Sequence, residues 1–307
     1  MFHIVSDSGC DWSQDQAKAL GVDVVPFYLT FDEQTFLKEG ICISNADYFA
    51  RLQEDKTVFP KTSQPSPQDF IEVYQPQLEA GKDIIVVTIS SKTSGTFNSA
   101  NLAAEMLASD YPERSIFVID SMTGSVGEAL IIKELIKMRD KGYDAQRASQ
   151  LAEAVKETTK TYFTLDTLDY LKRGGRVGST TALVGGVLGL RPVLHMVDGS
   201  IEQLESVRGR KKVLKMLEEG IEAALKEEAQ DVELSVGHIL CAEEAAQLKA
   251  NFEKALAVEF DHDITPVGAA IGTHTGPGAL AVAYCIRHEA LEARMSGNGL
   301  PAVSAAA

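Results

Sequence analysis

Two loops rich in hydroxyl groups carry the residue types best suited to binding an anion. One is residues 62–67 (TSQPSP), the other is residues 90–96 (SSKTSGT), and each lies just before a predicted helix. Such a turn offers an anion backbone N–H groups, hydroxyl donors and the positive end of a helix dipole. Either loop alone is explained as well by hydroxyls that only cap the helix. Two such loops in one domain favour a shared site for a carboxylate or a phosphate.

The segment 272–278 (GTHTGPG) places His274 among three glycines and one proline. This composition predicts an unusual backbone path. The imidazole could donate to an anion or carry a proton near neutral pH, and it could equally bond a turn carbonyl. Another histidine lies between two acids at 261–263 (DHD). We interpret that triplet as a solvated turn rather than a metal site.

Basic residues cluster at two places in a chain whose net charge is −15. Residues 171–176 (LKRGGR) and 208–212 (RGRKK) contain them, and both clusters could meet a phosphate. The alternative is structural: a helix that ends with Gly174 as its cap, and an ordinary solvated helix face. Because the overall acidity opposes binding to a phosphate backbone, nucleic acid is not an expected partner.

Several motifs of nucleotide and acyl chemistry are absent from the sequence. It has no GxxxxGK[ST] phosphate loop, no GxGxxG fingerprint and no GxSxG elbow, so an ATPase, a dinucleotide enzyme and a standard α/β-hydrolase lose support. The four cysteines form no CxxC pair, which predicts reduced thiols and no metal. No apolar run reaches the roughly 18 residues of a membrane span. The first residues lack a secretory pattern, and we expect a cytoplasmic protein.

The pattern of elements predicts two domains, as the length of 307 residues also does. Residues 1–160 alternate apolar strands with capped helices, which predicts a doubly wound α/β domain with a mainly parallel sheet. A long helical stretch at 128–159, interrupted at Gly142, leads to the boundary. The strands of this domain are expected at 2–6, 22–30, 83–90 and 115–120.

Residues 161–295 are expected to form an α+β domain. Two apolar-polar runs at 191–197 and 201–207 flank Asp198-Gly199, which predicts a hairpin. The segment 278–285 fits a strand or a helix, and the tail 296–307 is expected to be disordered. The remaining elements are a helix at 210–228, a strand at 232–239, a helix at 243–258 and strands near 264–271.

Together these segments resemble the DegV family of bacterial fatty-acid-binding proteins. The resemblance covers nearly the whole chain. Each motif is weak alone, but six stand in the family's order. They are residues 4–8 (IVSDS), 62–66 (TSQPS), 94–100 (SGTFNSA), 166–176 (DTLDYLKRGGR), 191–194 (RPVL) and 274–280 (HTGPGAL).

The resemblance implies a two-domain fold with an acyl chain buried in a tunnel and its carboxylate near the domain interface. An acyl chain of about 16 to 18 carbons would gain roughly 0.8 kcal/mol per buried CH₂. The resemblance also implies a carrier without a cofactor and without catalytic activity of its own. It would present the carboxylate to a separate ATP-dependent fatty acid kinase, which makes an acyl phosphate for phospholipid synthesis.

The same resemblance implies roles for individual residues. Thr62 and Ser94 would bind the carboxylate, because a buried carboxylate needs several hydrogen bonds. Close to it would lie Ser63, Gly95, Thr96, His274 and Thr275. Facing the kinase or the transferred phosphate would be Arg176, Arg208 and Arg210.

Two other functions stay open on the sequence. A hydrolase of acyl esters would use Ser94 with His274 and a carboxylate such as Asp7 or Asp120, although the chain lacks the usual elbow. A regulatory or DNA-binding module would use the two basic clusters. Copurification of fatty acid, ester turnover and salt-dependent DNA binding distinguish the three functions.

Overall fold

The structure is a computed structural model that describes residues 1–55, 57–176, 190–260 and 264–297. The predicted turn at 261–263 lies outside the described residues. The predicted tail 296–307 does so from residue 298 onward, whereas residues 296 and 297 belong to the last helix, His288–Gly297.

Four parallel strands form the sheet of the N-terminal domain. Their bounds are Phe2–Asp7 (β1), Val22–Val25 (β2), Asp83–Thr88 (β6) and Ile116–Asp120 (β7). The order across the sheet is β2-β1-β6-β7. Alternate side chains leave opposite faces of a strand, so Ile4 packs in one core cluster and Val5 in another. Burial on both faces explains the continuous apolar runs of the sequence.

Helices cover both faces of this sheet. Their bounds are Gln14–Ala19 (α1), Pro67–Glu79 (α3), Thr96–Ala108 (α4), Val126–Asp140 (α5) and Ala145–Thr158 (α6). Another helix of this domain, Asn45–Glu54 (α2), packs instead in a core cluster that contains residues of both domains. α3 and α4 pack on one face, and α5 and α6 pack on the other. The predicted doubly wound arrangement is therefore confirmed. The break at Gly142 is confirmed too, because this residue adopts a φ of 84° between α5 and α6.

The predicted strand at 22–30 is wrong as a single element. Its second half is a separate strand, Tyr28–Thr30 (β3), in a small antiparallel sheet with Leu37–Lys38 (β4) and Lys61–Ser63 (β5). Pro26 stands between the two halves. Proline has no N–H to donate to a strand ladder, so the chain leaves the parallel sheet at this point.

A six-stranded mixed sheet forms the centre of the C-terminal domain. Its strands are Lys160–Thr164 (β8), Leu190–Val197 (β9), Ser200–Arg208 (β10), Val232–His238 (β11), Thr265–Pro266 (β12) and Leu280–Ile286 (β13). The order is β10-β9-β8-β13-β11-β12, and all pairs except β11–β12 are antiparallel. The helices are Asp169–Gly174 (α7), Arg210–Leu225 (α8), Ala242–Leu256 (α9), Ala269–Thr275 (α10) and His288–Gly297 (α11).

The predictions for this domain hold at the hairpin and fail at one predicted strand segment. The β9–β10 hairpin is confirmed, with Asp198 and Gly199 both at positive φ as a two-residue turn requires. The ambiguous segment 278–285 is strand β13. Of the strands expected near 264–271, only Thr265–Pro266 forms, and the residues from 269 onward belong to helix α10, Ala269–Thr275. The unusual backbone predicted around His274 is confined to Gly276 and Gly278, which have positive φ after the helix ends.

One helical layer joins the two sheets. The core cluster that contains Ile4 and Ile85 of the parallel sheet and Leu130 of α5 also contains Ala283 and Cys285 of β13. α5 is buried on nearly all sides as a result. The two domains therefore share a core rather than meeting across a solvated linker.

Candidate functional site

A cavity of about 910 Å³, including the space at its mouth, lies between the two domains. Its floor is one face of the six-stranded sheet, where Phe163, Met196 and Ile201 line it. The opposite wall includes Ile89 of the N-terminal domain and Ile271 of α10. These walls can remove an apolar chain from water.

The floor of the cavity follows from strand alternation. Phe163 of β8 lies opposite Leu194 of β9 and Ala281 of β13. Tyr162 and Val282, their neighbours in sequence, face the other side of the sheet and pack with α8 and α9. The small side chain of Ala281 leaves room beside Phe163 on the cavity side.

Thr62 reaches the mouth of the cavity from strand β5. Its Oγ1 atom lies 2.8 Å from Nε2 of His274, and both side chains line the cavity. Ser63 follows in the same strand, is exposed and does not line the cavity. Successive strand residues point to opposite faces, so only one of these two hydroxyls is available at the mouth.

His274 is uncharged at neutral pH. Burial, and then the nearby charge of Arg176, lower the pKa of His274 to about 4. Its Nδ1 atom has no hydrogen-bond partner within the described part of the chain. Since a buried N–H without an acceptor is costly, the proton belongs on Nε2, which then donates to Thr62. The hydroxyl proton of Thr62 is left free for a ligand.

The second hydroxyl-rich loop brings Ser94 to the mouth at the start of α4. Ser94 lines the cavity, and its Oγ atom lies 2.8 Å from Oγ1 of Thr96. The cap of α4 is Gly95, which has no side chain, and the N–H of Thr96 donates instead to the Ser94 hydroxyl at 3.4 Å. Thr96 is buried beneath the loop and Gly95 is exposed, and neither lines the cavity.

Arg176 and Thr275 complete the mouth. Arg176 lines the cavity and donates to the carbonyls of Thr93, at 3.2 Å, and Gly174, at 2.6 Å. Within the described ranges it has no carboxylate partner, so its charge remains available to an anion. Thr275 also lines the cavity, but its hydroxyl donates to the carbonyl of Ile271 within α10.

A second, more polar cavity of about 770 Å³, including open solvent, adjoins the mouth. It shares Thr62, His274 and Arg176 with the first cavity. Lys61 and Arg173 also line it, and the Arg173 guanidinium lies 3.4 Å from the centre of the Phe59 ring. Thr62 and His274 thus stand between an apolar space and a positively charged one.

Arg208 and Arg210 line neither of these two cavities. Arg208 is exposed at the end of β10. Arg210 begins α8 and donates to Glu244 at 2.7 Å and to the Gly278 carbonyl at 2.8 Å. Of the three arginines predicted to face the kinase or the transferred phosphate, only Arg176 lines these cavities.

Three residues near the cavity were not found from the sequence. Thr123 and Thr161 line its wall, and their hydroxyls lie 2.8 Å apart. Gln64 donates to the Ser99 hydroxyl at 3.0 Å and so ties the first hydroxyl-rich loop to α4. Thr161 could have been predicted to face the cavity, because it lies two residues before Phe163 in the same strand. Gln64 could have been considered because it lies within the first hydroxyl-rich loop.

The groups of the hydrolase hypothesis do not form a relay. The hydroxyl of Ser94 is bonded to Thr96, and His274 meets Thr62 instead. Asp7 accepts two backbone N–H groups, and Asp120 does the same. No carboxylate among the described residues therefore orients the imidazole.

One group of possible metal ligands lies elsewhere, at Glu134, His288 and Glu289. Glu134 is already paired with Lys137 at 2.7 Å, and Glu289 is paired with Lys141. These pairs join α5 and α11 in an ion-pair network rather than an open site. None of the helices in the described ranges is both long and apolar enough to cross a membrane.

The fold and the cavity define a class of two-domain α/β proteins with an enclosed apolar site and a hydroxyl-lined mouth between the domains. A profile described as "Uncharacterised protein, DegV family" matches residues 1–287. The chain belongs to the DegV family.

Relatives agree over nearly their whole lengths. A DegV domain-containing protein of Clostridium perfringens, CPE0026, is 31% identical over 285 residues, which are 92% of this chain and 97% of that one. A stearic acid-binding protein from Eubacterium ventriosum superposes with a TM-score of 0.88 at 32% identity, covering 94% of this chain and all of that one. A fatty acid-binding DegV protein from Thermus thermophilus gives 0.81 at 30%, covering 93% and 99%.

Proposed function

We propose that this protein binds one long-chain fatty acid, with the acyl chain in the apolar cavity and the carboxylate at Thr62 and Ser94. The observation that carries the proposal is an apolar cavity that ends at hydroxyl groups and at the Arg176 guanidinium, which has no carboxylate partner among the described residues. A chain of about 16 to 18 carbons would gain roughly 0.8 kcal/mol per buried CH₂. The relatives described as binding stearic acid and fatty acid support this class of ligand.

In this proposal the protein groups donate every hydrogen bond to the carboxylate, and the carboxylate oxygens accept them. His274 donates from Nε2 to Thr62, and the Thr62 hydroxyl donates to one carboxylate oxygen. Ser94 donates to the other oxygen, and Arg176 supplies positive charge at the mouth. Charge-assisted bonds of this kind are about twice as strong as neutral ones. They offset the desolvation of the carboxylate.

The remaining predicted residues have lesser parts. Gly95 and Thr96 contribute the positive end of α4 near the carboxylate. Thr275 contributes to the wall through its methyl group, because its hydroxyl is already bonded within α10. Ser63 makes no contact with the ligand in this proposal, since it is exposed on the other face of β5.

We further propose that the protein is a carrier in the cytoplasm, without a cofactor or catalysis of its own, which presents the carboxylate to a separate ATP-dependent fatty acid kinase for phospholipid synthesis. The second cavity supports this step, because Arg173 and Arg176 beside Thr62 suit an incoming phosphate, while Lys61 is paired with Glu33 at 2.7 Å. Arg208 and Arg210 would lie on surfaces that the kinase contacts.

Mass spectrometry of an organic extract tests the ligand. Purified protein is expected to release about one equivalent of fatty acid, and delipidated protein should take up added palmitate. Ser94→Ala should lower palmitate affinity by roughly 10-fold through the loss of one hydrogen bond to a charged group. Ser109→Ala, at the exposed end of the same helix, is the matched control. An extract without acyl species, together with no uptake of palmitate, would refute the proposal.

A further inference from the structure

Helices α7 and α10 approach so closely that glycine is required at the contact. Gly174 is the last residue of α7. A Cβ atom added there would overlap Nδ1 of His274 and lie 2.8 Å from Cε1 of the same ring. Carbon atoms do not approach a ring so closely without displacing it. An alanine at this position therefore excludes the observed place of the imidazole.

The contact is reciprocal. A Cβ atom added to Gly276, just after α10, would lie 2.9 Å from Cγ of the Tyr170 ring of α7. The His274 ring of α10 thus packs against Gly174 of α7, and the Tyr170 ring of α7 packs against Gly276 just after α10. The shape of this contact fixes α10 against α7 in one position, because packed interiors leave little room for adjustment.

The imidazole of His274 depends on this packing because hydrogen bonds hold it on one side only. Nε2 meets Thr62 at 2.8 Å, whereas Nδ1 has no partner within the described residues. Functional histidines are commonly oriented by a hydrogen bond to the second ring nitrogen. Here the backbone of Gly174 occupies the place where such a partner would stand.

We propose that Gly174 is a positioning residue for the carboxylate site: the missing side chain lets the His274 ring lie against α7, where Nε2 reaches Thr62 and turns its hydroxyl towards the ligand. The inference rests on the proposed function. The proximity of α7 also keeps water from Nδ1, consistent with the lowered pKa of His274. Gly174, the first glycine of the LKRGGR motif, then positions a side chain of the binding site in addition to ending helix α7.

Affinity for two ligands with the same chain tests the proposal. Gly174→Ala should lower the affinity for palmitate at least about 10-fold and change that for hexadecanol by less than about 2-fold, because only palmitate carries the carboxylate. A change of packing alone would weaken both ligands equally and would overturn the proposal. Gly220→Ala in α8 is the matched control, since a Cβ atom there meets nothing within 4 Å.

A double-mutant cycle with His274→Ala tests whether Gly174→Ala lowers palmitate affinity through His274. In that background Gly174→Ala should change palmitate affinity by less than about 2-fold, and additive losses would contradict the proposal. If Gly174→Ala alone does not fold, the double variant should, because the ring that Cβ overlaps is gone; a double variant that also does not fold overturns the proposal. Wild-type protein that binds no palmitate refutes the proposed function itself, whereas a Gly174→Ala variant that binds like wild type refutes this inference alone.

Discussion

At the scale of single residues, neighbours of the same chemical type have different surroundings. Thr62 lines the cavity and meets His274, while Ser63 is exposed. Ser94 lines the mouth, while Thr96 is buried behind it. Which hydroxyl groups can reach a ligand in the cavity is therefore determined by the direction of each side chain more than by the number of hydroxyl groups in the loops.

Replacing Thr62 with valine keeps the shape of the side chain and removes its hydroxyl. We expect palmitate affinity to fall by roughly 10- to 100-fold, because both the donor to the carboxylate and the acceptor for His274 are lost. Isothermal titration calorimetry measures the change. Ser63→Ala is the control and should bind as wild type does. Equal affinities for Thr62→Val and wild type would show that the carboxylate lies elsewhere.

The sequence predicted residue types at the site better than their directions. Thr62, Ser94, His274, Thr275 and Arg176 meet at one cavity, as their motifs suggested, although their role in binding stays a prediction. Arg208 and Arg210 could not be separated from Arg176 by sequence, because the distance between clusters depends on how α8 packs. Gln64 was overlooked since its partner Ser99 lies 35 residues away.

At the scale of elements, distant side chains determine where α10 begins. Asp11 accepts the N–H of Gly268 at 2.9 Å, and Glu39 accepts the N–H of Ala270 at 2.8 Å. Side-chain oxygens at a helix N-terminus accept from N–H groups that have no partner within the helix, and so stabilise its start. Both belong to the N-terminal domain, which explains why local sequence favoured a strand at 264–271. The break at Pro26, in contrast, was visible in the sequence and was overlooked.

Asp11→Asn should flatten the dependence of stability on pH. Burial raises the pKa of Asp11 to about 8 and that of Asp7 to about 7. The folded protein then keeps protons that the unfolded chain releases above about pH 4. Stability from these groups is present at low pH and is lost as the pH rises through 7 and 8.

Urea unfolding at pH 5 and pH 8 measures this prediction. Wild type should lose stability between the two values, by up to about 1.4 kcal/mol per pH unit for each retained proton. Asp11→Asn should lose less, and a slope should remain because burial also raises the pKa values of Asp7, Glu39 and Glu128. The asparagine can still accept the N–H of Gly268 and donate to Ser125. Asp15→Asn on the exposed side of α1 is the control. An unchanged slope in Asp11→Asn would contradict the assignment.

The β9–β10 hairpin depends on one hydrogen bond from the other domain. The buried hydroxyl of Ser90 donates to the Gly199 carbonyl at the hairpin turn, at 2.7 Å. Ser90→Ala leaves that carbonyl without a donor and should cost about 1 to 3 kcal/mol. Amide hydrogen exchange in β10 should quicken, while that in β11 stays slow. Ser91→Ala, exposed in the same loop, should leave the exchange in β10 and in β11 unchanged. Similar exchange in the Ser90 and Ser91 variants would contradict a stabilising role for the hydrogen bond from Ser90 to Gly199.

At the scale of the whole molecule, the domain boundary at residue 160 stays a prediction from the sequence. The core that the two domains share indicates that they fold together. α5 contributes to a cluster that reaches both sheets. Length and the change of pattern predicted two domains. Their shared core was not predictable, because α5 is apolar on several sides and could equally have been the centre of one domain.

We expect both domains to unfold in one transition. Trp12, the single tryptophan, is nearly buried in the shared cluster and reports on the N-terminal side by fluorescence. Hydrogen exchange in β13 reports on the C-terminal side. The two urea midpoints should coincide, and a separate fragment of residues 1–160 should not fold because its α5 loses Ala283 and Cys285. Separate midpoints would establish two independent domains.

The position of the cavity at the domain interface has a consequence for the life of the protein in a cell. A molecule without ligand has a void where a loaded molecule has packed atoms. A ligand present at 100 times its Kd adds about 2.7 kcal/mol to stability. Unloaded molecules therefore open more often and meet proteases more often. With the proposed ligand, the amount of this protein would then follow the supply of fatty acid without any dedicated regulator.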